Sequence, residues 1–229
     1  CMGFTGALKL PAGLTSIEEY TFSNCSGFTG DLTISDKITT IGKYAFYNCS
    51  GFNGSLKLPD GLTTIDEATF WNCEGFTGSL DLPAGLTGIE GYAFSHCLGF
   101  TGDLTIPDKV TTIGEYVFWE CSGFNGSLKL PAGLTAIGEF AFYGCTGFTG
   151  SLNLPAGLTT IGKDAFENCT GFTELVIGTN LTSIGEAAFK SCGNISGKVI
   201  FPISLSNIGK QGFAGCNKVE AFRFPHTTP

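Results

Sequence analysis

The chain has 229 residues, a formal net charge of −8 and ten cysteines, with 42% hydrophobic and only 14% charged residues. That balance supplies a continuous core and excludes disorder, while 20 acidic residues against 12 basic ones, with no run of Lys or Arg, argue against nucleic acid as a partner. No apolar stretch reaches the roughly 20 residues that cross a bilayer, so this segment is not expected to insert into a membrane.

The chain opens partway through a repeating unit, Cys1 to Leu14 being the end of one copy and the start of the next. Its first residues read as the cut face of an excised piece, with upstream repeats or a cap implied. Cys1, Cys25, Cys49, Cys73, Cys97, Cys121, Cys145 and Cys169 are spaced 24 residues apart and are followed by Cys192 and Cys216. A phenylalanine stands three residues before each of the later cysteines, from Phe22 to Phe213, and an isoleucine five before that, from Ile17 to Ile208. A period of this length means one supersecondary unit per copy, each burying its apolar face on its neighbours. Residues 1–229 are therefore predicted to form a single solenoid of about nine repeats.

Within one copy, Leu56-Lys57-Leu58 alternates and is stopped by Pro59, which predicts a short parallel strand on a concave inner sheet. Pro59-Asp60-Gly61 turns the chain, and Leu62 and Ile65 point inward from a second short extended segment. From residue 66 to 72 the apolar spacing lengthens, predicting one helical turn or a loose loop on the convex side. Phe52, Leu56, Leu58, Leu62, Ile65, Phe70 and Cys73 are the expected core layer. The cysteines are expected to be buried free thiols: rungs of a parallel solenoid lie about 4.8 Å apart, but equivalent side chains point in parallel and not at one another. Phe172 to Leu175 is one residue shorter than Phe148 to Leu152, which gives the single 23-residue step from Cys169 to Cys192.

Laid out in this way, Phe172-Thr-Glu-Leu175-Val-Ile177, followed by Leu181-Thr-Ser-Ile184-Gly185-Glu-Ala-Ala-Phe189-Lys-Ser-Cys192, resembles the BspA-like, or treponemal-type, bacterial leucine-rich repeat. Most other copies depart from the pattern by one inserted residue, as in Phe28-Thr-Gly-Asp-Leu32. The resemblance covers almost the whole chain. It implies a leucine-rich-repeat solenoid, an extracellular or cell-surface location and an adhesin-like role within a longer surface protein. The implied partner is a protein ligand, such as a host surface or matrix protein, and no catalytic residues or cofactor come with the family.

Two outward columns carry every tyrosine and both tryptophans: Tyr20, Tyr44, Tyr92 and Tyr116 in one, Tyr47, Trp71, Trp119 and Tyr143 in the other. Tyr44, Tyr47, Trp71, Tyr92, Tyr116, Trp119 and Tyr143 form the first candidate binding surface, expected to be partly exposed on the convex or lateral side. The plainer reading is that these rings lie over neighbouring rungs as packing. A second candidate is the concave strand face, with Lys57, Asp81, Thr105, Lys129 and Asn153 between the core leucines. The threonine column from Thr15 to Thr182 reads as exposed strand, with an ordered-water array as the remote alternative. Asn24-Cys-Ser26, Asn48-Cys-Ser50 and Asn168-Cys-Thr170 match the N-glycosylation acceptor pattern. His96 fills the column of Asn24, Asn48 and Asn72 and joins no cluster, so no catalytic or metal site is expected. The function these residues point to is a non-enzymatic binding scaffold. The alternatives are a structural spacer, or a glycan-binding solenoid should Tyr47, Trp71, Trp119 and Tyr143 prove coplanar and exposed.

Overall fold

The computed structural model describes residues 4–225, so Cys1 and His226 lie outside the described residues. The chain coils as successive rungs that begin at each outer phenylalanine: 4–27, 28–51, 52–75, 76–99, 100–123, 124–147, 148–171, 172–194 and 195–218, closed by the strand Val219–Arg223. All seven residues of the expected core layer, Phe52 to Cys73, are buried. An eighth column joins them, Ala45, Thr69, Ala93, Val117, Ala141, Ala165 and Ala188, each with no exposed surface.

Identical side chains stack on their own copies. One phenylalanine ladder runs from Phe22 to Phe213 with ring centroids 5.0–5.6 Å apart. A second runs from Phe4 to Phe172 at 5.2–6.1 Å. The two meet edge to face, as at Phe70 and Phe76, 6.4 Å apart, which suits the ring quadrupoles.

The cysteines Cys25 to Cys216 are buried and unpaired, as expected. From Cys49 onward each Sγ donates to the carbonyl of a phenylalanine in the rung before, at 3.0–3.2 Å, as Cys73 does to Phe46. Phe46 also accepts the amide of Cys49 at 3.2 Å, so both of its lone pairs are used. A small hydrophobe with a weak donor fits this position.

The continuous sheet is not the one expected. Leucine strands pair only two at a time: Leu32–Thr33 with Leu56–Lys57, Leu104–Thr105 with Leu128–Lys129, Gly150–Asn153 with Phe172–Val176, and Gly197–Ile200 with Val219–Arg223. The seven-stranded parallel sheet is built instead from the second extended segment, Thr64–Ile65 through Asn207–Ile208. In the 24-residue rungs the leucine strands are two to four residues long, with Gly30, Gly78, Gly102 and Gly150 at φ of 75–81° beside the insertion, whereas the 23-residue rung carries the five-residue strand Phe172–Val176.

The convex segment is neither a helix nor a loose loop. It is a run of turns in which alternate amides leave the rung: Ala68, Phe70 and Asn72 donate forward to Gly91, Ala93 and Ser95 at 2.9 Å. Between them, Thr69, Trp71 and Cys73 close three-residue turns onto Asp66, Ala68 and Phe70. In the isoleucine sheet the amides point the other way, Glu90 donating back to Ile65. Each rung is therefore gripped from both sides.

A glycine precedes the outer phenylalanine in most rungs because the backbone passes directly under the neighbouring rung. A Cβ at Gly123 would sit inside van der Waals contact with the carbonyls of Leu98 and Phe100, whereas at Gly61 it would meet nothing within 4 Å. Gly123→Ala is expected to cost about 1–3 kcal/mol and Gly61→Ala to be neutral or slightly stabilising, read from urea denaturation of each variant. The thiols give a second test. Burial pushes Cys49 and Cys121 up to about 12 and Cys216 to about 11, and holds Cys73, Cys97, Cys145 and Cys192 well above the ordinary thiol value. The unfolded chain ionises these thiols first. Stability is thus retained below about pH 9 and lost as pH rises toward about 12, at about 1.4 kcal/mol per pH unit for each thiol. Circular dichroism should show sharp alkaline unfolding, with a smaller loss per pH unit in a Cys121→Ala, Cys145→Ala double variant.

Candidate functional site

Both aromatic columns fall on the turn segment, and the structure brings them into one ridge. The tyrosine column has left-handed backbone at every rung, φ being 57° at Tyr20, 56° at Tyr44, 60° at Tyr92 and 58° at Tyr116. Four residues on, the asparagine column repeats it, with 58° at Asn24 and 62° at Asn72. Left-handed residues swing both columns out of the core while their amides still reach the next rung.

Tyr20 stacks on Tyr44 at 4.9 Å, Tyr92 on Tyr116 at 4.6 Å and Tyr116 on Phe140 at 4.7 Å, all within 10° of parallel. Ala68 interrupts this row. Trp71 leans across the gap, with Tyr47 and Tyr92 each 5.1 Å away. Trp119 stands edge-on to Tyr116 at 5.8 Å and to His96 at 4.5 Å, and Tyr143 lies 5.9 Å from Phe140. The rings from Tyr44 to Tyr143 are half-buried, and Tyr20 is 56% exposed. They cover neighbouring rungs, as packing requires, and present an outer edge, as an interface requires. Tyr47, Trp71, Trp119 and Tyr143 are not a coplanar exposed platform: Tyr47 and Trp71 are inclined at 49°, and all four rings are half-buried.

The ridge is bordered by charge. The Tyr44 hydroxyl donates to Glu67 at 2.9 Å, and Lys43 reaches the same carboxylate at 3.2 Å. Burial, then the bond to Glu67, pushes Tyr44 up to about 12, and the same two bonds hold the Glu67 carboxyl below its usual range. Tyr92 and Tyr116 are raised as well, chiefly by burial. In the rung between Trp71 and Trp119 their column holds Ser95, which is fully buried and whose hydroxyl has no partner among the described residues.

The ridge ends at rung 148–171, where both aromatic columns turn acidic as Asp164 and Glu167, buried side by side. Burial and then its bond to Glu167 raise the Asp164 carboxyl to about 6. Lys190 holds Glu167 at 2.9 Å and Lys163 lies 3.8 Å from Asp164. This pair was not foreseen; its signal is the replacement of two aromatic residues by carboxylates in one rung.

On the strand face Lys57, Asp81, Thr105, Lys129 and Asn153 are all exposed, with Thr105 and Lys129 register partners in adjacent strands. Lys129 lies 3.8 Å from Asp103, whose Oδ1 accepts both the amide and the hydroxyl of Ser127 at 2.6 and 2.9 Å. Asp31 and Ser55 form the same brace at 2.7 and 2.8 Å. Asn53 and Asn125 complete it by accepting the amides of Gly30 and Gly102. The unbraced rung between them leaves open hollows on either side of Asp81, the larger of about 580 Å³.

Elsewhere the ladders are satisfied internally. Thr87, Thr135, Thr159 and Thr182 donate to backbone carbonyls of the preceding rung at 2.9–3.1 Å, which argues against an ordered-water array. The amide of Asn48 donates to Asn24 and that of Asn72 to Asn48. His96 continues the row to Glu120, 3.5 Å away.

The sequence profile of the BspA type leucine-rich repeat region matches residues 4–125 and 125–228, in six copies. Among solved structures, a leucine-rich cell surface protein from Faecalibacterium prausnitzii is similar over 96% of this chain and 86% of its own, with a TM-score of 0.60 and 19% identity. A leucine-rich repeat protein of T. pallidum is similar over 72% of this chain and 75% of its own, with TM-score 0.60 and 24% identity. The pneumococcal vaccine antigen PcpA follows at TM-score 0.51 and 17% identity, over 98% of this chain and 72% of its own. These likenesses concern the fold. No curated protein sequence matches significantly. Repeat solenoids of this kind are typically non-enzymatic scaffolds for protein interaction, and with the profile covering nearly all of its length, the chain belongs to the BspA-type leucine-rich repeat family.

Proposed function

We propose that this chain is a non-catalytic scaffold, displayed at a cell surface or secreted, that binds a protein ligand through the aromatic ridge in an adhesin-like role. The observation that carries the reading is the ridge itself. Rings from Tyr20 to Tyr143 form one connected row on rungs 4–147 and stop there. The rungs beyond fold in the same way with Asp164, Ala187 and Gln211 in the tyrosine column, at φ of 52–59°. Packing alone does not call for aromatic residues at a left-handed position that disfavours bulky side chains. Half-buried Tyr and Trp are the residues that anchor protein interfaces. The cell-surface description of the Faecalibacterium protein supports the location.

The glycan reading loses ground because Tyr47 and Trp71 are inclined at 49° to each other and all four rings of that reading are half-buried. The spacer reading remains the rival. The test is retention of extracellular proteins on the immobilised chain and on its Trp71→Ala, Trp119→Ala variant, with circular dichroism showing both folded and a Trp71→Phe, Trp119→Phe variant as the milder control. A ligand held by the chain, weakened by the phenylalanine variant and lost from the alanine variant is the expected result. A ligand held equally by all three would move binding to the strand face, and no retained ligand would favour the spacer.

A further inference from the structure

The carboxylates of the turn face are not spread evenly. Glu67, Glu90, Glu115 and Glu139, with Asp66 beside Glu67, put at least one carboxylate on each of the four rungs from 52 to 147, along the edge that carries Trp71, Tyr92, Trp119 and Tyr143. In three of these rungs the carboxylate directly precedes the tyrosine column. In rung 76–99 that place is Gly91, and Glu90 supplies the charge from a position that is glycine in most other rungs. The exchange opens a hollow of about 460 Å³ walled by Asp66, Glu67, Glu90, Glu115 and Tyr92. Gly91 is not needed for its backbone: its φ is not left-handed, and a Cβ there would meet only the Glu115 carbonyl, at 3.3 Å.

Few cations answer these charges. Lys43 is the one cation lining the hollow, and Glu67 already holds it at 3.2 Å. Among the described residues no lysine or arginine forms an ion pair with Glu90, Glu115 or Glu139. Past Tyr143 the edge becomes mixed: Lys163 and Lys190 enter with the buried Asp164 and Glu167, the exposed Glu186 stands in the column of Glu67, and Lys210 follows. On rungs 52–147 the rings and the unpaired carboxylates lie on one edge; Glu186 is a further exposed carboxylate beyond the last ring.

We propose that the ligand of the ridge is a protein segment rich in lysine and arginine, seated across rungs 52–147; this rests on the ridge being the binding face. Cationic head groups reach the carboxylates, while the apolar stems lie along the exposed ring edges. Arg side chains, which also pack on aromatic rings, suit this border best. The lysines that enter beyond Tyr143 weaken the attraction there, so the charge of the face favours rungs 52–147.

Both tryptophans lie on this face, so their emission reports binding locally. The probes are fluorescein-labelled peptides of alternating Arg and Ser, and of alternating Glu and Ser, followed by anisotropy and tryptophan emission. The expected result is saturable binding of the Arg-Ser peptide alone, with a change in tryptophan emission. Binding should weaken by roughly tenfold or more in a Glu90→Gln, Glu115→Gln, Glu139→Gln variant, and by no more than about twofold in an Asp36→Asn, Asp60→Asn, Asp81→Asn variant of equal net charge. Equal weakening in the two variants, or binding that leaves the tryptophans unchanged, would overturn the proposal by reducing it to net charge. A protein ligand lost on Trp71→Ala, Trp119→Ala but bound undiminished by the glutamine variant would overturn the basic partner and leave the ridge as the binding face.

Discussion

In the turn segment every second amide donates to the rung ahead, and the remaining amides close turns within their own rung. This exchange determines the rest of the coil. A helix would keep all of its amides to itself and leave the rungs joined by side chains alone; here the backbone joins them at three residues per turn segment, in addition to the isoleucine sheet. The geometry that sends alternate amides outward places two positions per rung in the left-handed region, at a cost of about 1–2 kcal/mol for each bulky residue. Stacked rings, an asparagine ladder and the buried phenylalanine ladders offset that strain, because each gains from having an identical neighbour above and below.

The same constraint explains the cysteine column. The phenylalanine carbonyl that accepts an amide within its own rung faces a second donor from the next rung, and the space between rungs admits only a small side chain. Serine would meet the bond but bury a more polar group, and alanine would leave the second lone pair unused. Cysteine does both adequately, and desolvation then holds its thiol neutral.

The period, the core columns and the free thiols were legible in the sequence because each is a matter of apolar spacing, which a stacked coil enforces at every rung. The choice of continuous sheet was not, because both extended segments carry inward apolar residues and spacing does not show which of them pairs from rung to rung. The aromatic columns were visible, and so was their outward placement. Their face-to-face stacking was not: it follows from a left-handed backbone at Tyr44 and Tyr92 that only the hydrogen bonds between rungs impose, with Asn24, Asn48 and Asn72 as the faint local hint. The braces that join Asp31 to Ser55 and Asp103 to Ser127 recur three rungs apart, a longer period nested in the short one and masked by it.

Because each rung touches only its neighbours, what a rung displays is nearly independent of what holds it in place. The inner ladders of Phe, Ile and Cys run past Tyr143, while the outward columns pass from rings to a mixed edge of lysines, a buried acid pair and Glu186. A fold under uniform constraint along its length therefore carries a surface that is not uniform. Such a boundary needs a cause outside packing, and a basic segment seated on the ring-bearing rungs supplies one.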